Sequence, residues 1–291
     1  MTTPASSTTI AVTGATGHLG HLTLQALLKR GVPAGNLVAL VRDPAKATDL
    51  AAQGIQVRQA DYKQPETLRD ALQGVNRLLL VSSNDFDDRV GQHRHVIDAA
   101  RAAGVDLIAY TSILNADRSG MMLAGDHQAT EALLRDSGVP FTLLRNGWYT
   151  ENYDLKGAVK NGAILGAAGT HALNPAPRQD YAEAAAAVLS TDGHAGQTYE
   201  LAGDEAVTLA DLAAEVARQS GQPVAYHDLS AEEYARTLAG FGVPEGFAHV
   251  LADSDTGITR GELTTDRRDL SRLIGRPTTP ITRAVTDALN A

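Results

Sequence analysis

The chain has 291 residues and is 43% hydrophobic, 20% charged and 4% aromatic; at about 100–200 residues per domain, this length predicts two domains or one domain with a large insertion. It contains no cysteine, which excludes disulfides, iron–sulfur clusters, thiolate metal sites and cysteine nucleophiles. With 25 basic and 34 acidic residues, its formal net charge of −9 argues against binding to the phosphate backbone of nucleic acids.

Short apolar segments alternate with helical segments through the first half of the chain. The apolar segments are nearly continuous in character, as is typical of strands buried on both faces of a parallel sheet. The predicted strands are residues 9–12, 37–41, 55–57, 78–81, 107–110 and 141–144. The predicted helices between them are residues 19–27, 45–53, 65–74, 90–103 and 126–136. This βαβαβ succession predicts an α/β fold built on a Rossmann-type doubly wound parallel sheet.

The second half of the chain is less regular. Residues 146–177 are rich in glycine, alanine, asparagine and tyrosine and contain few clear elements. The predicted elements beyond them are a helix at 178–189, a strand at 198–202 and helices at 209–219, 231–239 and 282–289. Thr208 is a plausible N-cap for the first helix after that strand. We expect a first domain over 1–150 and a smaller, partly discontinuous C-terminal lobe over 151–291, of which about 178–202 returns to the sheet.

A glycine-rich loop joins the first predicted strand to the first predicted helix. Gly14 permits a tight turn, Gly17 permits close approach of a pyrophosphate, and Gly20 permits close packing of the helix on the strand. Phosphates would then bind N–H groups at a helix N-terminus. The strand before the loop and the helix after it favour a dinucleotide site over a purely structural turn. The predicted cofactor contacts in this NAD(P)-binding domain are Gly14, Ala15, Thr16, Gly17, His18, Leu19 and Gly20.

The residues after the second and third strands indicate which nicotinamide cofactor is bound. The group that reads the adenosine ribose lies about 20 residues beyond the glycine loop in such folds. Arg42 stands there, and its cationic fork suits a 2′-phosphate, so NADPH is preferred. Asp43 is an alternative reader that would favour NADH, or a simple partner for Arg42. Asp61 and Tyr62 are expected to flank the adenine, with Asp61 also interpretable as a turn residue.

The chain resembles the atypical short-chain dehydrogenases of the NmrA-like kind, and in particular the bacterial NADPH:quinone reductases and the triphenylmethane-dye reductases. The resemblance rests on the glycine loop, Arg42 and further segments, and it extends over nearly the whole chain. Those segments are 59–62, 79–83, 110–112, 143–152, 199–203, 251–255 and 273–275. It implies a Rossmann domain with a small C-terminal lobe, NADPH along the carboxyl edge of the sheet, and quinone reduction in the cleft between them.

The Tyr-x-x-x-Lys pair that transfers protons in most short-chain dehydrogenases is missing. The residues four positions after the eight tyrosines are Glu66, Leu114, Tyr153, Gly157, Ala185, Gly203, Ser230 and Leu238. Oxidation of an alcohol needs a strong base of this kind. Hydride transfer to a quinone instead produces a delocalised anion that water or a weak donor can protonate. The absence argues against an alcohol dehydrogenase or sugar epimerase and is compatible with a quinone reductase.

His127 and Glu131 stand where that pair would fall, on the helix after the fifth strand. His127 is a candidate catalytic proton donor, because an unperturbed imidazole has a pKa of about 6.5. Glu131, one helical turn later, would orient it. The alternative is an exposed pair of residues without a role. His93 and His95 diverge on their helix and are expected at the surface, so no metal site is predicted.

Residues after the sixth strand are candidates for the catalytic and acceptor site. Asn146 would hydrogen-bond either the nicotinamide carboxamide or the carbonyl of the acceptor, and Tyr149 is a further candidate. Trp148, with Tyr149, would form a flat wall for a quinone ring, unless it packs at a hinge. Phe86 lies in a loop expected to cover the cofactor and would contact the substrate.

Further polar residues at strand ends are expected to line the phosphates and ribose of the cofactor. These are Ser82, Ser83 and Thr111, with Ser112 beside them. The dinucleotide loop occurs once, so the prediction is direct hydride transfer from NADPH to a quinone with no flavin and no metal.

Two other functions remain open at this point. One is a non-catalytic NADP(H)-binding redox sensor, and the other is a reductase of another conjugated acceptor such as a triarylmethane dye. The expected partner is a small-molecule quinone rather than nucleic acid. No apolar run reaches the 18–20 residues or so of a membrane span, and the first residues lack the features of a signal peptide, so a cytoplasmic protein is expected. The sequence does not determine the oligomeric state, and a homodimer is one possibility.

Overall fold

The strands of the protein were located in a computed structural model that describes residues 8–85 and 87–290. They are β1 (Ile10–Val12), β2 (Leu37–Val41), β3 (Gln56–Gln59), β4 (Arg77–Leu80), β5 (Leu107–Ile113), β6 (Phe141–Asn146), β7 (Ala163–Gly166), β8 (Ala172–Leu173), β9 (Thr198–Leu201), β10 (Val207–Thr208) and β11 (Ala225–Asp228). Each strand predicted from the apolar segments is present. The strand predicted at 55–57 corresponds to β3, which begins one residue later and ends two residues later. The residues of β3 are partly or fully exposed, which explains the weak apolar signal of this segment.

The helices occupy the segments between the strands and most of the C-terminal part. They are α1 (His18–Lys29), α2 (Thr48–Ala52), α3 (Pro65–Ala71), α4 (Arg89–Ala103), α5 (Met122–Ser137), α6 (Leu155–Asn161), α7 (Arg178–Ser190), α8 (Leu209–Ser220), α9 (Ala231–Gly240), α10 (Glu245–Thr259), α11 (Asp269–Ile274) and α12 (Ile281–Asn290). Short 3₁₀ turns cover Ala34–Asn36, Pro44–Ala47 and Thr150–Asn152. Thr208 forms a capping box with Asp211 at the start of α8.

The described strands form a seven-stranded sheet with the order β3-β2-β1-β4-β5-β6-β9, and two small sheets pair β10 with β8 and β11 with β7. The pairs β1–β2, β1–β4, β2–β3 and β4–β5 are parallel. The strand order reverses direction between β1 and β4. In open α/β sheets, ligands bind outside the carboxyl ends of the strands at such a switch point. The structure therefore confirms the predicted doubly wound α/β fold.

The chain divides into two compact units. Unit 1 contains residues 1–112, 126–145 and 178–199, and unit 2 contains residues 113–125, 146–177 and 200–291. Unit 1 holds most of the large sheet, and β9 belongs to that sheet. The prediction of a partly discontinuous lobe placed its first boundary at residue 150, which is wrong in detail. The chain enters unit 2 at Asn146, the last residue of β6, and residues 113–125 also belong to unit 2. The sequence pattern did not reveal that residues 113–125 belong to unit 2, because the predicted strand before them and the predicted helix after them follow one another closely in the chain.

Each unit has its own hydrophobic core. The core of unit 1 joins β1, β2, β4 and β5 to α3 and α4, and it includes the fully buried Tyr110. The core of unit 2 includes Trp148 together with apolar residues of α6, α8 and β7. Within residues 8–85 and 87–290, no helix combines the length and apolar character that crossing a membrane requires.

Candidate active site

The glycine loop after β1 has the backbone geometry that the sequence predicts. Gly14 has a φ of +58°, in the left-handed region that favours glycine. The amide of Gly17 donates to the carbonyl oxygen of Gly14 at 2.8 Å, which closes the turn. A Cβ built on Gly20 would lie 2.4 Å from the same oxygen, so only glycine lets α1 approach the loop this closely. The three glycines thus maintain the turn and its contact with the helix.

The N-terminus of α1 presents backbone amides without a competing side chain. Gly17 is the N-cap residue, no side chain caps the helix, and its first turn contains no acidic residue. The first helical hydrogen bond is from His21 N to Gly17 O, so the amides of the preceding helical residues lie outside the bonded turns. Together with the helix dipole, they form a suitable site for a pyrophosphate.

The seven predicted loop contacts differ in exposure. Gly14, Thr16, Gly17 and His18 are exposed, whereas Ala15, Leu19 and Gly20 are buried. The amide of Ala15 donates to Leu40 O at 3.3 Å and is therefore already engaged within the protein. The exposed part of the loop is consequently the part best placed to contact phosphate oxygens.

Arg42 and Asp43 follow β2 and have different environments. The carboxylate of Asp43 accepts a hydrogen bond from Ala45 N at 3.0 Å and caps the 3₁₀ turn that begins at Pro44. Arg42 is exposed, and it takes part in no ion pair with the carboxylates of the described residues. The predicted alternative in which Arg42 pairs with Asp43 is therefore wrong. Arg42 remains available for an anionic ligand.

Asp61 and Tyr62 lie beyond β3, where the sequence places the adenine. Asp61 Oδ1 accepts from Lys63 N at 2.9 Å, as in an Asx turn. The hydroxyl oxygen of Tyr62 lies 2.5 Å from Thr13 Oγ1 and 2.8 Å from Val81 O. Burial raises the pKa of Tyr62 more than the Thr13 hydroxyl and the charge of Arg42 lower it. Tyr62 therefore joins the end of β1 to the end of β4.

Polar residues that follow β4 lie beside polar residues in the last part of β5, as the parallel pairing of these strands requires. Ser82 N donates to Thr111 Oγ1 at 2.9 Å. Ser83 is half-buried and bonded to α4 through its backbone and its hydroxyl. These residues lie beside the switch point, where open α/β sheets bind their ligands.

His93 is the first correction to the predicted site. It was expected at the surface but is fully buried, with Nε2 accepting from Ser83 N at 2.9 Å. Burial, reinforced by the charge of Arg89, lowers its pKa to about 3, so the ring is neutral. His95 is half-buried, and its Nδ1 lies 2.7 Å from Tyr62 O. Both side chains are structural parts of unit 1 rather than exposed groups.

His127 is the second correction. It is buried at 7% exposure, and its Nδ1 lies 2.8 Å from the hydroxyl oxygen of Tyr110. Burial, followed by the charges of Arg89 and His93, lowers the pKa of His127 to about 3. Burial also raises the pKa of Tyr110. An imidazole with so low a pKa is unprotonated at neutral pH, so the premise of an unperturbed pKa of about 6.5 does not hold for His127. A role for His127 as proton donor stays a prediction.

Glu131 does not orient His127 but binds Arg145. The two side chains form two parallel hydrogen bonds of 2.9 and 2.8 Å, and Ser112 Oγ donates to Glu131 Oε1 at 2.7 Å. Burial alone would raise the pKa of Glu131, but the hydrogen bonds from Arg145 and Ser112 hold it below its ordinary value. The predicted exposed pair is wrong, and so is the expectation that Glu131 orients His127, because both residues are buried and each has a separate partner.

Asn146 is the last residue of β6 and belongs to unit 2. Its Nδ2 donates to the Tyr149 hydroxyl oxygen at 3.1 Å. Its Oδ1 is buried and accepts no hydrogen bond from the part of the chain that the structure describes. A buried acceptor without a donor costs about 1–3 kcal/mol, and such groups call for an explanation. A ligand that carries an N–H or O–H group would satisfy it.

Trp148 does not form the exposed aromatic wall that the sequence suggests. Its side chain is 7% exposed and packs in the hydrophobic core of unit 2. Ala176 N donates to Trp148 O at 3.1 Å, which fixes this segment further. Tyr149 is half-buried, so a role beside an acceptor ring remains a prediction for it. Phe86 lies outside the residues that the structure describes.

Comparison with known proteins identifies the family. The family model described as NAD(P)H-binding matches residues 14–192, which is more than half of the chain. This chain belongs to the NAD(P)H-binding family. The match begins at Gly14, the residue with the left-handed backbone in the glycine loop.

Relatives of this NAD(P)H-binding protein cover nearly its whole length. It is 53% identical to quinone oxidoreductase 2 of Escherichia coli over 97% of this chain and 99% of that protein. The crystal structure of the NADPH-dependent quinone oxidoreductase from the same organism, complexed with NADPH, matches with a TM-score of 0.93, covering 97% of this chain and all of that chain. These similarities confirm the predicted resemblance to NmrA-like atypical short-chain dehydrogenases.

A second group of relatives acts on dyes. The structure of Citrobacter sp. triphenylmethane reductase complexed with NADP(H) matches with a TM-score of 0.91 at 42% identity, covering 96% of this chain and 100% of that chain. Both solved relatives were crystallised with the phosphorylated nicotinamide cofactor. NADPH binding by this NAD(P)H-binding protein is consistent with its exposed Arg42 and its glycine loop.

Sequence reasoning missed the buried residues that surround the predicted site, although a signal for them existed. Residues three, four and seven positions apart lie on one face of a helix. In α4 that spacing joins His93 to the buried Val96, Ile97 and Ala100. In α5 it joins His127 to Thr130, Glu131 and Leu134, all buried. Each histidine could thus have been assigned to the buried face of its helix.

Proposed function

We propose that this protein is an NADPH-dependent reductase that delivers hydride directly to a quinone and produces a hydroquinone. The observation that carries the proposal is the 53% identity with E. coli quinone oxidoreductase 2, which extends over 97% of this chain. A similarity restricted to the glycine loop would support only nucleotide binding. The similarity to quinone oxidoreductase 2 includes residues of both units, which supports the same type of reaction in the two proteins.

The residues of unit 1 fit the phosphorylated dinucleotide. The amides of Ala15 and Gly17 already donate within the protein, so those of the exposed Thr16 and His18 would bind the pyrophosphate. The guanidinium of Arg42 would bind the 2′-phosphate. Asp43 caps a turn with its carboxylate, which leaves Arg42 as the charged reader of the ribose. Ser82, Ser83 and Thr111 would line the crevice on its other side. Bound NADPH supplies the hydride.

In this proposal, the side-chain oxygen of Asn146 accepts a hydrogen bond from a bound ligand. Its unsatisfied atom is an oxygen, and an oxygen acceptor needs an N–H or O–H partner. A quinone carries only acceptor oxygens, so it cannot satisfy Oδ1. The carboxamide N–H of the nicotinamide, or the hydroxyl of the hydroquinone product, fits the requirement. Tyr149 holds the side-chain amide through Nδ2 and so fixes the direction of Oδ1.

The protein needs no strong acid or base for this reaction. A quinone that accepts a hydride becomes a hydroquinone anion whose charge is delocalised over the ring, and one proton from water completes the hydroquinone. His127 is neutral and Glu131 is paired with Arg145, so neither acts as a proton donor in the proposal. The chain's own contribution is to position the reactants and to limit solvent access. The proposal includes no flavin and no metal.

The test is the oxidation of NADPH by a series of benzoquinones, with a triphenylmethane dye as a second acceptor. We expect stoichiometric formation of hydroquinone with NADPH, and slower turnover with NADH. Tight NADPH binding without reduction of any quinone would contradict the proposal and favour a redox sensor. Reduction of the dye alone would place the protein with the triphenylmethane reductases.

The role of Asn146 has its own variant. Asn146→Leu removes the carbonyl acceptor, and we expect kcat/KM for the quinone to fall about tenfold or more, as for the loss of one buried hydrogen bond to a ligand. Asn161→Leu is the control, because Asn161 is an exposed residue at the end of α6. Equal activity of the two variants would remove Asn146 from the site.

A further inference from the structure

Three residues of one helix hold Ser83, which lies just beyond the carboxyl end of β4. Arg89 Nε donates to Ser83 O at 2.8 Å, and Ser83 Oγ donates to Gln92 Oε1 at 2.8 Å. Ser83 N donates to His93 Nε2 at 2.9 Å. All three α4 side chains are buried. The backbone amide, the backbone carbonyl and the hydroxyl of Ser83 are therefore each bound from the same face of α4, which fixes its position and orientation.

His93 is held in one protonation state by a partner on each side. Its Nε2 must be unprotonated, because it accepts the amide proton of Ser83. Its Nδ1 lies 2.8 Å from Thr130 Oγ1, and that hydroxyl donates its own proton to Asp126 O at 2.8 Å. The Nδ1 must therefore carry the hydrogen and donate it to Thr130. Burial and the charge of Arg89 lower the pKa of His93 to about 3, in keeping with this neutral form.

The ring of His93 also supports the opposite side of the crevice. It packs edge-on against Tyr62, with ring centroids 6.3 Å apart and planes at 75°. The Tyr62 hydroxyl is bonded to Thr13, the residue before Gly14, and to Val81, the residue before Ser82. A Cβ built on Gly14 would lie 3.7 Å from the Val81 Cβ, so the loop and the end of β4 are adjacent. The imidazole thus touches groups that set both sides of the switch-point crevice.

We propose that His93 is a positioning residue for NADPH: through Ser83 and Tyr62 it fixes the distance between the glycine loop and the end of β4. It touches no cofactor itself. The inference rests on the proposed function in one respect, which is that the cofactor occupies this crevice. A neutral acceptor and donor at position 93 is required, whereas an apolar side chain of similar size would leave the Ser83 amide unbonded.

The test compares two variants by the dissociation constant for NADPH, measured by calorimetry. His93→Gln keeps a neutral acceptor and donor, and His93→Leu removes both. We expect His93→Leu to bind NADPH about tenfold more weakly, the effect of one unsatisfied buried donor, and His93→Gln to bind within about threefold of the wild type. Val96→Ala is the control, because Val96 is buried on the same face of α4 and its apolar side chain cannot hydrogen-bond Ser83.

A purely structural role would give a different pattern. His93→Leu would then lose thermal stability as Val96→Ala does while keeping the wild-type affinity for NADPH, and this result would overturn the inference. If His93→Leu does not fold, Thr130→Val removes the acceptor of the Nδ1 hydrogen with little change of shape. A wild-type dissociation constant for Thr130→Val would also overturn it, and a severalfold increase would support it.

The affinity measurement separates this inference from the proposed function. A wild-type protein that binds NADPH but reduces no quinone contradicts the proposed activity, while the order of affinities among the His93 variants still decides the positioning role. A wild-type protein that does not bind NADPH contradicts both.

Discussion

Arg145 and Glu131 form a buried ion pair in which the guanidinium meets both carboxylate oxygens: Arg145 Nε lies 2.9 Å from Glu131 Oε1, and Nη2 lies 2.8 Å from Oε2. The pair joins β6 to α5, and Ser112 at the end of β5 donates to the same carboxylate. Charges removed from water are stable only when they are paired and hydrogen-bonded in this way. The carboxylate that stands near the expected proton-transfer position is therefore part of the framework of unit 1.

Glu131→Gln should destabilise the protein strongly. The substitution removes the charge of the carboxylate to which the buried Arg145 forms two hydrogen bonds, and breaking a buried pair costs about 3–5 kcal/mol. Urea denaturation of the two proteins measures the difference in the free energy of unfolding. Asp287→Asn is the control, since it breaks the exposed pair with Arg283 and should change stability by less than about 1 kcal/mol. Similar small losses for both variants would contradict a framework role for Glu131.

Arg42→Ala should weaken NADPH binding much more than NADH binding. The guanidinium is exposed beside the end of β2, and only NADPH carries the 2′-phosphate that it would bind. A charge-assisted hydrogen bond contributes about 1.5–3 kcal/mol, so we expect a loss of tenfold or more for NADPH. Dissociation constants for the two cofactors check this, with the exposed Arg69→Ala as a control. An equal loss for both cofactors would remove Arg42 as the phosphate reader.

Gly20→Ala should distort the glycine loop. A Cβ at this position would lie 2.4 Å from the carbonyl oxygen of Gly14, so α1 or the loop must shift. We expect a loss of about 1–3 kcal/mol of stability, as for other overpacked sites, together with weaker NADPH binding. The control is Gly125→Ala in α5, where an added Cβ meets no atom within 4 Å. It should be neutral or stabilising, because alanine favours a helix. Wild-type cofactor affinity of Gly20→Ala would show that the close approach is not needed.

Asp255 should make stability depend on pH near neutrality. It is 2% exposed in α10, and burial raises its pKa to about 7, more than the hydrogen bond from Ala167 N lowers it. Asp228 faces it and raises the pKa further. Because the folded-state pKa exceeds the unfolded value of 3.8, the folded protein binds the proton more tightly. This contribution is fully present below pH 3.8 and is lost as the pH rises through 7.

The wild-type protein should therefore lose about 1–2 kcal/mol of stability from Asp255 between pH 6 and pH 8. Asp255→Asn keeps an oxygen acceptor for Ala167 N but cannot ionise, so its stability should lack this slope. Chemical denaturation at several pH values measures the effect, with Asp287→Asn as an exposed control that should retain the wild-type slope. The same slope in Asp255→Asn and the wild type would contradict the assignment.

Local patterns in the sequence predicted the framework of the cofactor site correctly. The apolar runs of β1, β2 and β4 are buried on both sides, so their composition reveals them without knowledge of the neighbours. The spacing of Gly14, Gly17 and Gly20 is equally local, because each glycine acts on backbone within a few residues of it. These features are properties of short segments.

The partners of polar side chains could not be derived in that way. His127 has Tyr110 as its partner, 17 residues away in the chain. The backbone N–H of Asn115 donates to a carboxylate oxygen of Glu200, which is 85 residues away. Such contacts depend on which elements pack together. For the same reason the burial of Trp148 was not evident from its position after β6.

The sequence by itself determined a doubly wound α/β protein with a dinucleotide loop and an arginine at the ribose position, because strand burial, turn geometry and glycine spacing are encoded within short segments. Only the tertiary structure decided that His127 and Glu131 have separate partners, that His93 is buried against Ser83, and that Asn146 keeps an unsatisfied oxygen. Protonation and hydrogen bonding depend on solvent exclusion by residues distant in the chain, and folding alone brings those residues together.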